Sequence, residues 1–135
     1  MPRLYREAPV NSIWEGSGNV ICLDVLRALQ RHPEAREALH ALLAALRGGH
    51  ALLDAAGARV MDLIGAAVQP SDGRRIAQAI ATVVAGALLV RDAPAVVADA
   101  YCATRLADDV HAGAAFGTLP ARIDAGTIVS RLTDA

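Results

Sequence analysis

The sequence predicts an all-α fold, a helical bundle of about five helices plus a short C-terminal helix, and three observations predict it. Aromatic residues make up only 3% of the 135-residue chain while alanine and leucine dominate, a composition that favours helices over a β-sandwich built from β-branched and aromatic side chains. Apolar residues recur at i, i+3, i+4 and i+7 through most of the chain. Prolines and paired glycines fall between these runs, where helices stop. Hydrophobic residues are 54% of the chain, which excludes a disordered polymer. A domain of this length buries roughly two-thirds of its unfolded surface.

Residues 1–19 divide from a single bundle over 20–135. Residues 1–13, with Pro2 and Pro9, read as irregular coil, and Trp14–Asn19 as a loop. Val20, Leu23, Val25, Leu26 and Leu29 predict a first helix to about Arg31. His32-Pro33 stops it, and Pro33 suits the first position of the next helix. Leu39, Leu42, Leu43 and Leu46 share one face of that second helix, and Gly48-Gly49 ends it as a C-cap would. A third helix over roughly 50–68 points Leu53, Val60, Leu63, Ile64 and Val68 inward. Pro70-Ser71-Asp72 breaks the chain, with Ser71 or Asp72 placed to cap a fourth helix to about Asp92, along which Ile76, Ile80, Val83, Val84, Ala87 and Leu88 repeat. Pro94 begins a fifth, carrying Val97, Tyr101 and Leu106 to about Val110. Residues 113–126 read as loop, and 127–132 as the last short helix.

The stretch 76–90 is apolar but about four turns long, short of the ~20 residues that a membrane span needs. Arg74, Arg75 and Arg91 flank it, so it reads as a buried central helix and no membrane partner is expected. The 13 basic residues, all arginine, nearly balance 14 acidic ones, for a net charge of −1. That balance produces no overall field for nucleic acid or an anionic surface. Cys22 and Cys102 stand far apart without a metal-ligand spacing and read as free thiols of a reducing cytoplasm. The N-terminus lacks a signal peptide's apolar core, which fits the same cytoplasmic expectation. His32, His40, His50 and His111 sit in different elements, so no metal site is expected. None of Ser12, Ser17, Ser71 and Ser130 has the context of a nucleophile elbow.

One stretch carries chemistry. The string Tyr-Arg-Glu-Ala-Pro-Val-Asn-Ser-Ile-Trp-Glu-Gly-Ser-Gly-Asn-Val from Tyr5, continued by Leu-Asp-Val-Leu-Arg, resembles the acyl-CoA dehydrogenase family. The likeness is greatest to its AidB-like, isovaleryl-CoA dehydrogenase-like branch. Ala-Phe-Gly-Thr-Leu-Pro (115–120) is similar to the tail of that branch. The likeness is strong at 2–29, modest at 99–120 and compositional between.

The resemblance implies a C-terminal helical domain of an FAD-dependent enzyme that desaturates an acyl-CoA. Glu15 takes the place of the family's catalytic glutamate, which removes the α-proton of the thioester while a hydride leaves the β-carbon for the flavin. Shielding from water raises a carboxylate's pKa towards that task. The Glu15 N–H would hold the thioester oxygen where enolate charge develops, and Gly16 leaves room for substrate at the backbone. Trp14 walls the acyl pocket or stacks near the flavin. Ser17 and Asn19 stand where the family contacts FAD, replacing the commoner Thr and Gln. Read without the family string, Ser17 is an N-cap, Gly16-Ser17-Gly18 a turn and Trp14 a core anchor.

Family members carry an N-terminal helical domain and a middle β-domain before this point, and these hold most of the flavin and acyl-CoA. The resemblance therefore implies the C-terminal piece of a longer protein, retaining neither ligand alone and assembling as a homo-oligomer through its bundle. Two alternatives stand beside it. The same branch implies a module for duplex DNA, with Arg27 at the matching basic position. A free-standing helical assembly domain is the other.

Overall fold

A computed structural model describes residues 2–7, 9, 18–66, 69–108, 119–120 and 122–131. These form α1 (Pro2–Glu7), α2 (Gly18–Arg31), α3 (Pro33–Ala45), α4 (Ala51–Gly65), α5 (Gly73–Asp92), α6 (Ala95–Arg105) and α7 (Ala125–Ser130). A single 3-10 turn, Pro70–Asp72, leads into α5. The described residues contain no strand, and the all-α expectation holds.

The bundle is organised around α5, which packs against α2, α4 and α6 and, less extensively, α3. Ile76, Val83 and Ala87 of α5 are buried, with Ile76 and Ala87 fully excluded from solvent. Around them close Leu26 from α2, Leu39 from α3, Leu53, Ala56, Val60 and Ile64 from α4, and Cys102 and Leu106 from the α6 end. At 20 residues α5 is longer than the apolar stretch suggests, and by length and composition it suffices to cross a membrane. Its two termini carry Arg74, Arg75, Arg91 and Asp92, and four helices pack against it, while Leu88 stays 40% exposed.

Small residues set the closest approaches. A methyl group added to Gly86 would lie 2.8 Å from the Leu106 Cδ1 atom, and one added to Gly73 would lie 3.4 Å from Leu26 Cδ1 and 3.6 Å from Cys22 Cβ. Glycine at 86 thus lets α6 lie close on α5, and glycine at 73 does the same for α2.

The boundaries follow local chemistry. Gly48 takes φ +84°, the left-handed conformation of the predicted C-cap, and its N–H donates to Asp54 Oδ2 at 3.0 Å. His50 caps α4 through its Nδ1, which accepts the Leu52 N–H at 3.2 Å, while its Nε2 lies 3.1 Å from Asp99 Oδ1 on α6. The accepting Nδ1 leaves Nε2–H as the donor to that carboxylate. Asp124 caps α7, its Oδ1 accepting the Thr127 N–H at 3.1 Å.

Several boundaries and faces differ from expectation. Pro2–Glu7 is helical rather than coil: proline at the first position has no N–H to lose, and Arg3 pairs with Glu7 one turn on at 2.9 Å. On α2, Val20 and Leu23 are exposed, 49% and 37%, and Cys22 takes the inward place with Val25, Leu26 and Leu29. Helix α4 ends at Gly65 rather than near 68, and α6 ends at Arg105 rather than near 110. Asp72 makes no side-chain cap to α5. Its carboxylate instead accepts the Gln69 N–H at 3.1 Å, closing the 3-10 turn. Gly126, expected in a loop, lies in the first turn of α7.

Candidate functional site

Of the residues singled out by sequence, Trp14, Glu15, Gly16 and Ser17 lie outside the described residues. Asn19 and Arg27 lie within them. Asn19 occupies the first turn of α2 and is exposed. Its Oδ1 accepts a hydrogen bond from Arg74 Nε at 2.7 Å, so the start of α2 is tied to the start of α5 by residues 55 positions apart. The close approach at Gly73 makes this tie geometrically available. A methyl group on Gly18 would meet the two terminal nitrogens of Arg74 at 3.7 and 3.8 Å, which places the guanidinium over the first turn of α2.

The corner gathers positive charge around one carboxylate, that of Asp72 at the N-cap of α5. A helix N-terminus carries about half a positive charge on its unpaired N–H groups. Neither α2 nor α5 has an acidic residue in its first turn, and Arg74 adds a full positive charge. An arginine at a helix N-terminus runs against the dipole by roughly 0.3–1 kcal/mol, and Asp72 at the N-cap of α5 offsets part of that positive charge. A groove of about 320 Å³ opens there, lined by Asn19, Cys22, Leu23, Pro70, Ser71, Gly73 and Arg74. Amide, guanidinium and hydroxyl groups form the donor set that phosphate oxygens take. The residues therefore fit the diphosphate end of a dinucleotide such as FAD. Arg74 was not legible as a site residue, because only the fold brings it to Asn19.

Arg27 lies on the exposed face of α2 and pairs with Asp24 one turn earlier. Its surroundings are a solvated, ion-paired helix face. Cys102 does not have the setting of an activated nucleophile. Cys102 is fully buried, and burial, with Asp99 nearby, pushes its thiol up to about 11. Burial likewise raises Tyr101, whose hydroxyl donates to the Thr82 carbonyl at 3.1 Å. Among the described residues no three His, Cys, Asp or Glu side chains converge in a metal-binding group.

The described residues thus form an all-α helical module in which α2 and α5 begin side by side, at the corner that carries Asn19 and Arg74. Comparison with known proteins gives that module a relative. The chain is 37% identical over 108 residues to AidB of Escherichia coli (strain K12), an acyl-CoA dehydrogenase family member. This relates the chain to the acyl-CoA dehydrogenase family through its AidB-like branch. The match takes in 78% of this chain and 19% of the relative, so the chain spans about a fifth of the length of the protein it resembles. No family model matches the chain, and no solved structure does.

Proposed function

We propose that this chain supplies the helical C-terminal part of an FAD-dependent, acyl-CoA dehydrogenase-type flavoprotein, with Glu15 as the α-proton base. The observation that carries the reading is the identity to AidB over most of the chain. The string around Glu15 and the Asn19–Arg74 pair at the start of α2 support it. In this reading Glu15 takes the α-proton of an acyl-CoA thioester. Exclusion of water raises the basicity of its carboxylate to match that proton. The Glu15 N–H donates to the thioester oxygen as negative charge accumulates there, Gly16 leaves the backbone open to the substrate, and Trp14 bounds the acyl chain. Ser17, Asn19 and Arg74 hold the diphosphate of the flavin. Bound FAD would accept the hydride released from the β-carbon.

The exposed Val20, Ile21 and Leu23 at the start of α2 are the apolar surface that we assign to assembly, with a further copy or with flavin-binding domains. Alone, the chain carries part of a site, so the expected outcome is that purified chain incubated with FAD retains no stoichiometric flavin. Stoichiometric retention would contradict this division of labour. The catalytic assignment is tested by grafting the chain in place of the matching segment of the Escherichia coli relative. Anaerobic bleaching of the flavin by acyl-CoA should survive in the graft and fall at least a hundredfold on Glu15→Gln. A Glu15→Gln graft that bleaches as well as the unsubstituted one would refute Glu15 as the base.

A further inference from the structure

A second groove, of about 360 Å³, runs between α4, α5 and the end of α6. It shares no lining residue with the corner beside Asn19. Arginines from three helices line it, Arg59, Arg75 and Arg105, with no aspartate or glutamate among the described lining residues. Its floor is apolar, with Val60, Val83 and Leu106 each buried. Three of the chain's 13 positive charges thus gather over one apolar trough in a protein whose net charge is −1.

The rim is positioned by the fold. Arg59 Nη2 donates to the Leu106 carbonyl at 3.0 Å, which pins this guanidinium across the C-terminal end of α6. Arg75 donates to Asp72 Oδ1 at 3.2 Å, and Asp72 is the carboxylate that a ligand would compete with there. A guanidinium carries five N–H donors in a fixed fork, so one committed bond at each of these two arginines leaves the fork able to grip an oxyanion. The volume lies within the ordinary range for small-molecule sites, which combine an apolar surface with a few convergent polar groups.

We infer that this groove binds a small amphiphilic anion. A carboxylate or phosphate monoester head sits on the Arg59–Arg75–Arg105 rim, and a short aliphatic body lies on the Val60–Val83–Leu106 floor. The inference rests on the groove's own geometry and stands independently of the flavoprotein reading.

Titration calorimetry of the whole chain with butyrate, octanoate, octyl phosphate and inorganic phosphate tests it. Each half- to fully buried methylene should tighten binding about two- to fourfold. Octanoate is therefore expected to bind at one site at least tenfold more tightly than butyrate. Arg59→Gln with Arg105→Gln should weaken it at least tenfold, and Ala79→Leu, which fills the trough, should weaken it similarly. Arg75→Gln keeps the Arg59–Leu106 bond and serves if the double variant fails to fold. Tighter binding of octyl phosphate than octanoate assigns a phosphate head, and the reverse a carboxylate. Equal affinity for butyrate and octanoate would overturn the inference, as would inorganic phosphate binding as tightly as octanoate, the mark of an adventitious ion only. Unchanged octanoate binding in Ala79→Leu or in Arg75→Gln would overturn it too.

Discussion

Replacing Ile76 by alanine should destabilise the bundle far more than the same kind of truncation at Leu88, although both lie on α5. Ile76 is fully excluded from solvent, while Leu88 is 40% exposed. Ile76→Ala removes three buried carbon groups, at ~0.8 kcal/mol each in lost transfer free energy, or ~2.4 kcal/mol in total. The cavity left in the core raises the cost to about 4 kcal/mol, within the range of buried Ile→Ala changes. With a urea m-value of roughly 2 kcal/mol per molar, the unfolding midpoint should fall by about 2 M. At Leu88 the lost burial is partial and solvent fills the space, so the expected cost is about 1 kcal/mol. Urea titration followed by circular dichroism measures both. Equal costs at the two positions, or a cost below about 1 kcal/mol at Ile76, would refute the account of α5 as the central helix of the bundle core.

Further outcomes follow from single contacts. Gly86→Ala drives a methyl group to 2.8 Å from a buried Leu106 Cδ1, so the helix-propensity gain is outweighed and thermal unfolding should show a loss of about 1 kcal/mol. Gly65→Ala meets nothing within 4 Å and should stabilise by a few tenths of a kcal/mol in the same assay. His50→Ala removes both the α4 cap and the bond to Asp99 and should cost about 1 kcal/mol, with a double-mutant cycle against Asp99→Ala showing a positive coupling. At alkaline pH the unfolded Cys102 thiol ionises first, because burial lifts the folded one to about 11. Its contribution to stability should therefore be constant below the ordinary value of 9 and be lost as pH rises from there to about 11. Cys102→Ala should flatten that decline, and in native protein a thiol reagent should label Cys22 well before the buried Cys102.

Much of the bundle is legible in the sequence because helical spacing reports burial directly. Leu39, Leu42 and Leu43 mark the inner face of α3 with Leu46 just past its end, and on α5 Ile76, Val83 and Ala87 are buried with Ile80 and Val84 packed against the core, but Leu88 of the same run is 40% exposed. Periodicity misled where apolar residues are exposed: Val20 and Leu23 match the helical pattern yet face outward on α2, and a pattern of hydrophobicity cannot say which face a neighbour covers. Helix α1 was not legible because its support is an Arg3–Glu7 pair rather than an apolar stripe. Asp72 closes a capping box with Gln69 around Pro70 rather than capping the following helix, and residue type alone does not choose between the two. For the site, Trp14, Glu15, Gly16 and Ser17 come from a family string, and physical spacing alone yields only a turn and an N-cap there. Arg74 beside Asn19 and the meeting of Arg59, Arg75 and Arg105 depend on contacts between distant helices, which a linear pattern does not record.

The central claim is that this bundle belongs to a flavoprotein whose other domains hold most of the flavin and the acyl-CoA. Sequencing the coding DNA upstream of the Met1 codon tests it most directly. The account predicts a reading frame that stays open for several hundred codons and encodes a flavin-binding β-domain. An in-frame stop codon with a ribosome-binding site just upstream of Met1 would contradict it.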